Sequence, residues 1–332
     1  MESQDVEYCY PSHNTSCTKD VRSRSEYIFM YIIFFSLSAL TVFLNLLVII
    51  SVSHFKQLHT PTNMLVLSLA VADMIVGLFI MPVDGIRLIE TCWYFGETFC
   101  SIFPLVATTV VSGSLGNLVF ISIDRYIAVS DPLLYSTKVT INRVIICISV
   151  IWLYSLIYSV AFLFNHMFYP ETRNTCYGEC LYVLNFTWAI VDLILSLISP
   201  CSVVISLYLR IYCVAKYQAQ VINSITTGVS VGEKGLTLLK SERKAAKTLG
   251  IVVFVYLLCW IPYYINGLSL GSVTSESVVM TFLMWLMYVN SCMNPLIYAL
   301  FYPWFKISTK HIITLRIFDS SSSYCNLFTV QI

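Results

Sequence analysis

Seven stretches of this chain, at residues 27–52, 62–86, 99–123, 143–164, 184–212, 247–270 and 277–301, are apolar enough and long enough to cross lipid as helices. A hydrocarbon core of about 30 Å needs roughly 20 apolar residues at helical rise. Backbone inside it must satisfy its own hydrogen bonds, which helices do within one segment. The expected fold is therefore an all-α membrane protein, a seven-transmembrane helix bundle. With 58% hydrophobic and 11% charged residues, nothing remains for a separate soluble domain. The boundaries that follow are an extracellular tail over 1–26, the bundle over 27–301, a short amphipathic helix 8 over 302–316 and a cytoplasmic tail over 317–332. "FYPWFKISTKHIITL" mixes aromatic and basic residues as a helix on a membrane surface does, while "DSSSSYCNLFTVQI" reads as disordered.

Charge sets the orientation. Of the 19 Lys and Arg, an outside N-terminus leaves only Lys19, Arg22, Arg24, Arg87 and Arg173 outside, in keeping with the positive-inside bias. The net charge of +1 says nothing about partners, and no nucleic-acid patch is expected. The polar opening "MESQDVEYCYPSHNTSCTKD" lacks the pattern of a cleavable signal, so the first span is expected to direct its own insertion into the plasma membrane. Cys9, Cys17, Cys92, Cys100, Cys176 and Cys180 fall on the outer side, where disulfides persist. Their pairing is open from sequence, although Cys100 is well placed to tether the loop carrying "CYGEC". Asn14 begins an Asn-Thr-Ser acceptor for glycosylation, whereas Asn185 stands too near the membrane. Cys325 is read as an unmodified tail thiol rather than a palmitoylation site.

Polar groups in lipid cost several kcal/mol unless partnered, so they are the informative residues. Asn45, Asp73, Ser114, Asn290, Ser291 and Asn294 sit at mid-depth and together suit a hydrated cation such as sodium, an alternative to plain interhelical hydrogen bonding. No cofactor is otherwise implied. At the inner end of span three stands "DRY", Asp124, Arg125 and Tyr126, where the Arg can pair with Asp124 and with Glu242 and be released by motion of span six. Pro262 in "CWIPYYI" permits a kink there.

Asn45, "LAVAD" ending at Asp73, Cys100, "DRY", Trp152, Pro200, "CWIP" and "NPLIY" lie in the order and spacing of the rhodopsin-like G-protein-coupled receptors. Within that group, "HFKQLHTPTN", "RKAAKTLGI" and "NSCMNPLIYALFYPWF" resemble the trace amine-associated receptors. The resemblance implies a receptor, not an enzyme, that binds a small protonated amine outside and activates a heterotrimeric G protein inside, of the cyclase-stimulating type, with a role in olfaction. It implies disulfides Cys100–Cys180 and Cys17–Cys176 and leaves Cys9 without an assigned partner. It also gives Tyr208, Asn294, Pro295 and Tyr298 roles in switching beside the "DRY" residues.

The chain departs from the pattern at one important place: the span-three Asp of amine receptors is Ala107 here, and Tyr256 stands where Phe is usual. The carboxylate has moved to Asp192 in span five, on the helical face shared with Ser196 four residues on. A protonated amine on that carboxylate forms a charge-assisted hydrogen bond, and removing one member of a buried pair costs about 3–5 kcal/mol. Thr108 and Val111 of span three, with Trp260, Tyr263, Tyr264 and Tyr288, are expected to complete the ligand site, the aromatic faces attracting the cation. The competing role for Asp192 is a protonated hydrogen-bonder between helices. Asp84 in "MPVDGIRL" is either a second acid that selects diamines or, the favoured reading, a solvated helix end paired with Arg87. Rival classes fare poorly: no internal repeat speaks for a transporter, span seven carries no Lys for an opsin's Schiff base, and no nucleophile or metal cluster lies at depth.

Overall fold

The computed structural model describes residues 7–169, 176–180, 186–226, 250–266, 278–319 and 322–327. Span one is Arg24–His54, started by a capping box in which Ser23 and Glu26 satisfy each other's backbone amides. Span two runs Pro61–Glu90, span three Glu97–Ser130 and span four Ile141–Phe162. Span five begins at Phe186–Asp192, passes through a π turn at Leu193–Ile198 and continues as Ser199–Thr226. Span six is described over Gly250–Asn266 and span seven over Val278–Phe301. Spans two and four start within two residues of the expected positions, where Thr60 and Thr140 accept from the amides of Asn63 and Arg143 as caps.

The interior is apolar as in a water-soluble protein, but the outer surface is apolar too, as lipid requires, and a few polar groups lie at depth. Phe29, Ile32, Ile146 and Leu153 are about 60% exposed, while Asn45, Asp73 and Asn117 are fully buried. Lipid tails give no hydrophobic drive between helices, so close approach and interhelical hydrogen bonds hold the bundle. Span three approaches span four at Gly116, where an added Cβ would lie 2.6 Å from Ile151. Trp152 Nε1 donates to Ser68 Oγ at 3.1 Å and so ties span four to span two.

Among the described residues, two helices carry π turns, and each sits beside a proline. In span two, Val76–Ile80 precedes Pro82, and in span five, Leu193–Ile198 precedes Pro200. A proline cannot donate to the carbonyl four residues back, and the ladder adjusts by widening one turn.

A structured cap covers the outer end. Strands Glu7–Tyr8 and Thr18–Lys19 pair antiparallel, and Asn14 stands exposed in the turn between them. Disulfides join Cys17 to Cys176, Cys100 to Cys180 and Cys9 to Cys92. Cys9, which the family resemblance left without an assigned partner, is thus bridged to Cys92 just past the end of span two. Gly178 has φ +97° and leaves room for a Cβ only 2.9 Å from that of Cys9, so a side chain there is excluded twice over. Arg22 donates to the last carbonyls of span two, Leu88 at 3.3 Å and Ile89 at 3.1 Å. Lys19 pairs with Glu90; burial opposes its charge, but the Glu90 hydrogen bond and charge prevail and raise its pKa.

The surface helix is Pro303–Ile313, with Trp304 and Phe305 buried. The expectation of a disordered tail is corrected over residues 322–327, the rest of "DSSSSYCNLFTVQI" beyond Asp319 lying outside the described residues. Leu327 is fully buried, its amide donating to Gln57 Oε1 at 3.1 Å, and Ser322 meets His54 at 2.9 Å. A leucine with a waiting apolar niche outweighs the serine-rich composition around it.

Candidate functional site

Below the cap lies a cavity of about 180 Å³ between spans two, three, five, six and seven. Span five contributes Asp192 and Ser196, and span three contributes Thr108, Val111 and Ala107. Trp260, Tyr263 and Tyr264 come from span six and Tyr288 from span seven, while Asp84 and Arg87 close the side formed by span two. All nine residues singled out in the sequence for ligand contact line this one space, Ala107 beside them.

The Asp192 side chain is half-buried and faces the cavity rather than the lipid. Its Oδ1 accepts from Tyr158 at 2.7 Å and Ser196 at 2.8 Å, and its Oδ2 accepts from Tyr264 at 3.0 Å. A carboxylate offers about four acceptor sites. Three hydroxyls therefore orient it and leave capacity on Oδ2 for one further donor. Tyr158 could not have been found from periodicity, since which residue of span four meets span five is decided by helix crossing.

Tyr256 donates to the Ser196 carbonyl at 3.1 Å. That carbonyl has no donor at position i+4, because residue 200 is proline. The hydroxyl that distinguishes Tyr256 from the usual Phe thus fills a need created within span five.

Asp84 corrects its favoured reading. The pairing with Arg87 is present at 2.6 Å, but the carboxylate is only 4% exposed and also accepts from Tyr288 at 2.5 Å. The helix continues to Glu90 under the disulfide-bonded cap, which removes the solvent that the sequence placed there.

Deeper in the bundle, Asn294 Nδ2 donates to Asp73 Oδ2 at 2.8 Å, and the Ser291 and Ser114 side chains stand near that carboxylate. Asp73 Oδ1 and Asn290 Oδ1 are buried without a hydrogen-bond partner among the described residues. A small cavity of about 30 Å³ touches Ser114, Asn290 and Ser291. Orphaned, hard oxygen atoms around a buried acid fit a small monocation. Asn45 does something different: its amide donates to Thr41 O at 2.9 Å and Ser291 O at 3.1 Å, tying span one to span seven.

At the end of the bundle away from the disulfide-bonded cap, Arg125 pairs with Asp124 at 2.7 Å. Asp124 also accepts from Thr62 at 2.7 Å and from Tyr135 at 2.7 Å. Tyr135 belongs to a short helix, Pro132–Lys138, after span three. Burial first, and then the charge of Asp124, push its phenol up to about 12, so it remains a donor. Tyr126 packs with Val129 and Ile211, and Tyr208 lies against Gly250 of span six, where a Cβ would come within 2.9 Å of its ring. Tyr298 is buried after Pro295. Glu242, the other expected partner of Arg125, lies outside the described residues, as does the basic run before Gly250.

Comparison with known proteins agrees in scale with this geometry. A family model described as the seven-transmembrane receptor of the rhodopsin family matches residues 44–298. Trace amine-associated receptor 8a of Rattus norvegicus is 44% identical, covering 98% of this chain and 97% of its own. Trace amine-associated receptor 6 of Homo sapiens is 42% identical over the same shares. Trace amine-associated receptor 13c of Danio rerio is 41% identical, covering 99% and 98%.

Proposed function

Because this chain belongs to the rhodopsin family of seven-transmembrane receptors, and within it to the trace amine-associated type, we propose that it is a plasma-membrane receptor gated by a small protonated amine held on Asp192. The observation that carries this reading is the Asp192 carboxylate: held by three hydroxyls, it faces the cavity from which the span-three acid is missing. The cavity falls below the roughly 300 Å³ at which drug-sized sites begin, which favours a small ligand.

The ammonium takes the remaining acceptor site on Asp192, with the faces of Trp260, Tyr263 and Tyr264 around it. Bound there, it bears on span five at the carboxylate and on span six through Tyr264. These two helices are joined one turn deeper by Tyr256 and Ser196. A shift of span six relative to span five is the step that passes inward to Arg125, releasing a face for a heterotrimeric G protein, of the cyclase-stimulating type. The N-terminus with Asn14 lies outside, glycosylated, and the C-terminus inside. Asp73, Ser114, Asn290, Ser291 and Asn294 would hold a sodium ion, whose charge balances the buried acid.

The test is an amine library applied to cells expressing the receptor with a cyclic AMP reporter. An active amine should lose about two to three decades of potency in Asp192→Asn at equal surface expression. An unchanged dose–response curve in that variant removes Asp192 from the mechanism.

A further inference from the structure

A second cavity, of about 330 Å³, lies on the lipid side of the wall that holds Asp192. Spans three, four and five form it, and Val150, Tyr154, Leu195 and Val203 at its rim are exposed where the bilayer surrounds the bundle. Ser112, Leu115 and Ser196 line both this groove and the amine cavity, so a single layer of side chains separates the two. The volume falls in the range of small-molecule sites.

The groove is graded in polarity. Its half nearer the disulfide-bonded cap carries Ser112, Ser155, Tyr158 and Ser196, Ser199 stands midway, and the far half is formed by residues such as Phe120, Val150 and Val203. Of the hydroxyl residues, Tyr158 and Ser196 are half-buried rather than enclosed. From Tyr158 to Val150 is eight residues of span four, about 12 Å at helical rise. An occupant thus has a polar head toward the cap and an apolar body reaching toward the middle of the bilayer.

Asp192 decides the chemistry of the head. Tyr158 and Ser196 both give their protons to its Oδ1, at 2.7 and 2.8 Å, so what they have left to offer is acceptor oxygen. The head is therefore a donor. A carboxylate or phosphate would set acceptor against acceptor beside the charge of Asp192. An ammonium would enter a groove in which, among the described residues, no charged side chain lines the wall, at a cost of several kcal/mol. A neutral hydroxyl meets the demand. Tyr154 and Tyr158 stack at 6.3 Å, so that wall is preformed, and a rigid body loses less freedom on entering it than a flexible chain.

Building on the reading that Asp192 holds the amine, we infer that this groove binds a membrane sterol, its hydroxyl donating to Tyr158 or Ser196 and its ring body lying between spans three, four and five, and that the bound sterol raises amine affinity. The coupling needs only these two side chains. A proton donated to either oxygen polarises the bond that it makes to Asp192 and holds the carboxylate with Oδ2 turned to the amine cavity.

The experiment places the full-length receptor in phosphatidylcholine nanodiscs with a photoreactive diazirine analogue of cholesterol and maps the labelled peptides by mass spectrometry. Label should fall on spans four and five at the groove and be displaced by cholesterol, but far less by its hydroxyl epimer, a long-chain alcohol or a long-chain amine. Val150→Trp and Leu195→Trp fill the groove from lipid-exposed positions and should lose the label, whereas Leu153→Trp, also exposed on span four but outside the groove, should keep it. In the same nanodiscs cholesterol should raise the affinity of an amine that activates the receptor in cells by about three- to tenfold, the scale of one hydrogen bond. That gain should persist in Leu153→Trp and vanish in the two filled variants. Label that maps elsewhere, survives both filled variants or yields equally to epimer, alcohol or amine overturns the sterol site. Amine affinity indifferent to cholesterol overturns its coupling to Asp192. Silence of the receptor to every amine overturns the Asp192 reading, and the labelling then decides the sterol site on its own.

Discussion

Tyr256 and Ser196 are joined by a hydrogen bond of 3.1 Å from a phenol on span six to a main-chain carbonyl on span five. The proline at 200 removes the i+4 amide donor of that carbonyl, and the Tyr256 hydroxyl supplies a donor from a second helix. A buried carbonyl left without a donor costs about 1–3 kcal/mol. Tyr256→Phe should therefore lower the melting temperature of the purified receptor by roughly 2–6 °C, taking about 2 °C per kcal/mol for a chain of this size. A thermal-shift measurement that finds no change would show that the bond contributes nothing to this arrangement.

Arg125 shares one end of the bundle with Asp124, Thr62 and Tyr135. It lies at the opposite end of the bundle from Asp192, so Arg125→Ala should suppress the cyclic AMP response while radioligand affinity changes less than about threefold, under 0.7 kcal/mol. Loss of ligand binding at preserved expression would contradict a purely cytosolic role.

Cys9 and Cys92 form one bridge that closes a long loop, and a disulfide of this kind contributes about 2–5 kcal/mol. Cys9→Ser, Cys92→Ser and the double variant should lose surface expression to the same extent, since either single change already breaks the bond. A double variant clearly worse than both singles would mean that the two thiols act independently.

Asp73 predicts a cation effect. Agonist potency measured in sodium chloride and in an equal concentration of a bulky organic cation should differ in the wild type and coincide in Asp73→Asn. A sodium effect that persists in Asp73→Asn places the ion elsewhere.

Lipid is a simple judge of sequence, and much of this protein was legible because of it. Apolar length alone places the spans, and the cost of a polar group at depth singles out Asp73, Asp192 and the residues around them from the sequence. Local chemistry also set several helix starts, as at Ser23, Thr60 and Thr140. Helix ends and exposure were less secure. Asp84 looked solvated because the sequence does not show that the N-terminal strands and three disulfides fold over the bundle.

What the sequence determined by itself is whatever depends on composition and on spacing within one helix: the seven-span fold, the polarity of its interior, and the placement of Asp192 and Ser196 on one face. What only tertiary structure decided is whatever depends on how separate helices cross and rotate: Tyr158 reaching Asp192, Tyr256 answering Ser196, Tyr288 and Arg87 dividing Asp84, and Cys9 finding Cys92. The reason is physical. Spacing along a helix follows from a fixed period of 3.6 residues, whereas contacts between helices depend on packing over the whole bundle, which no local stretch encodes.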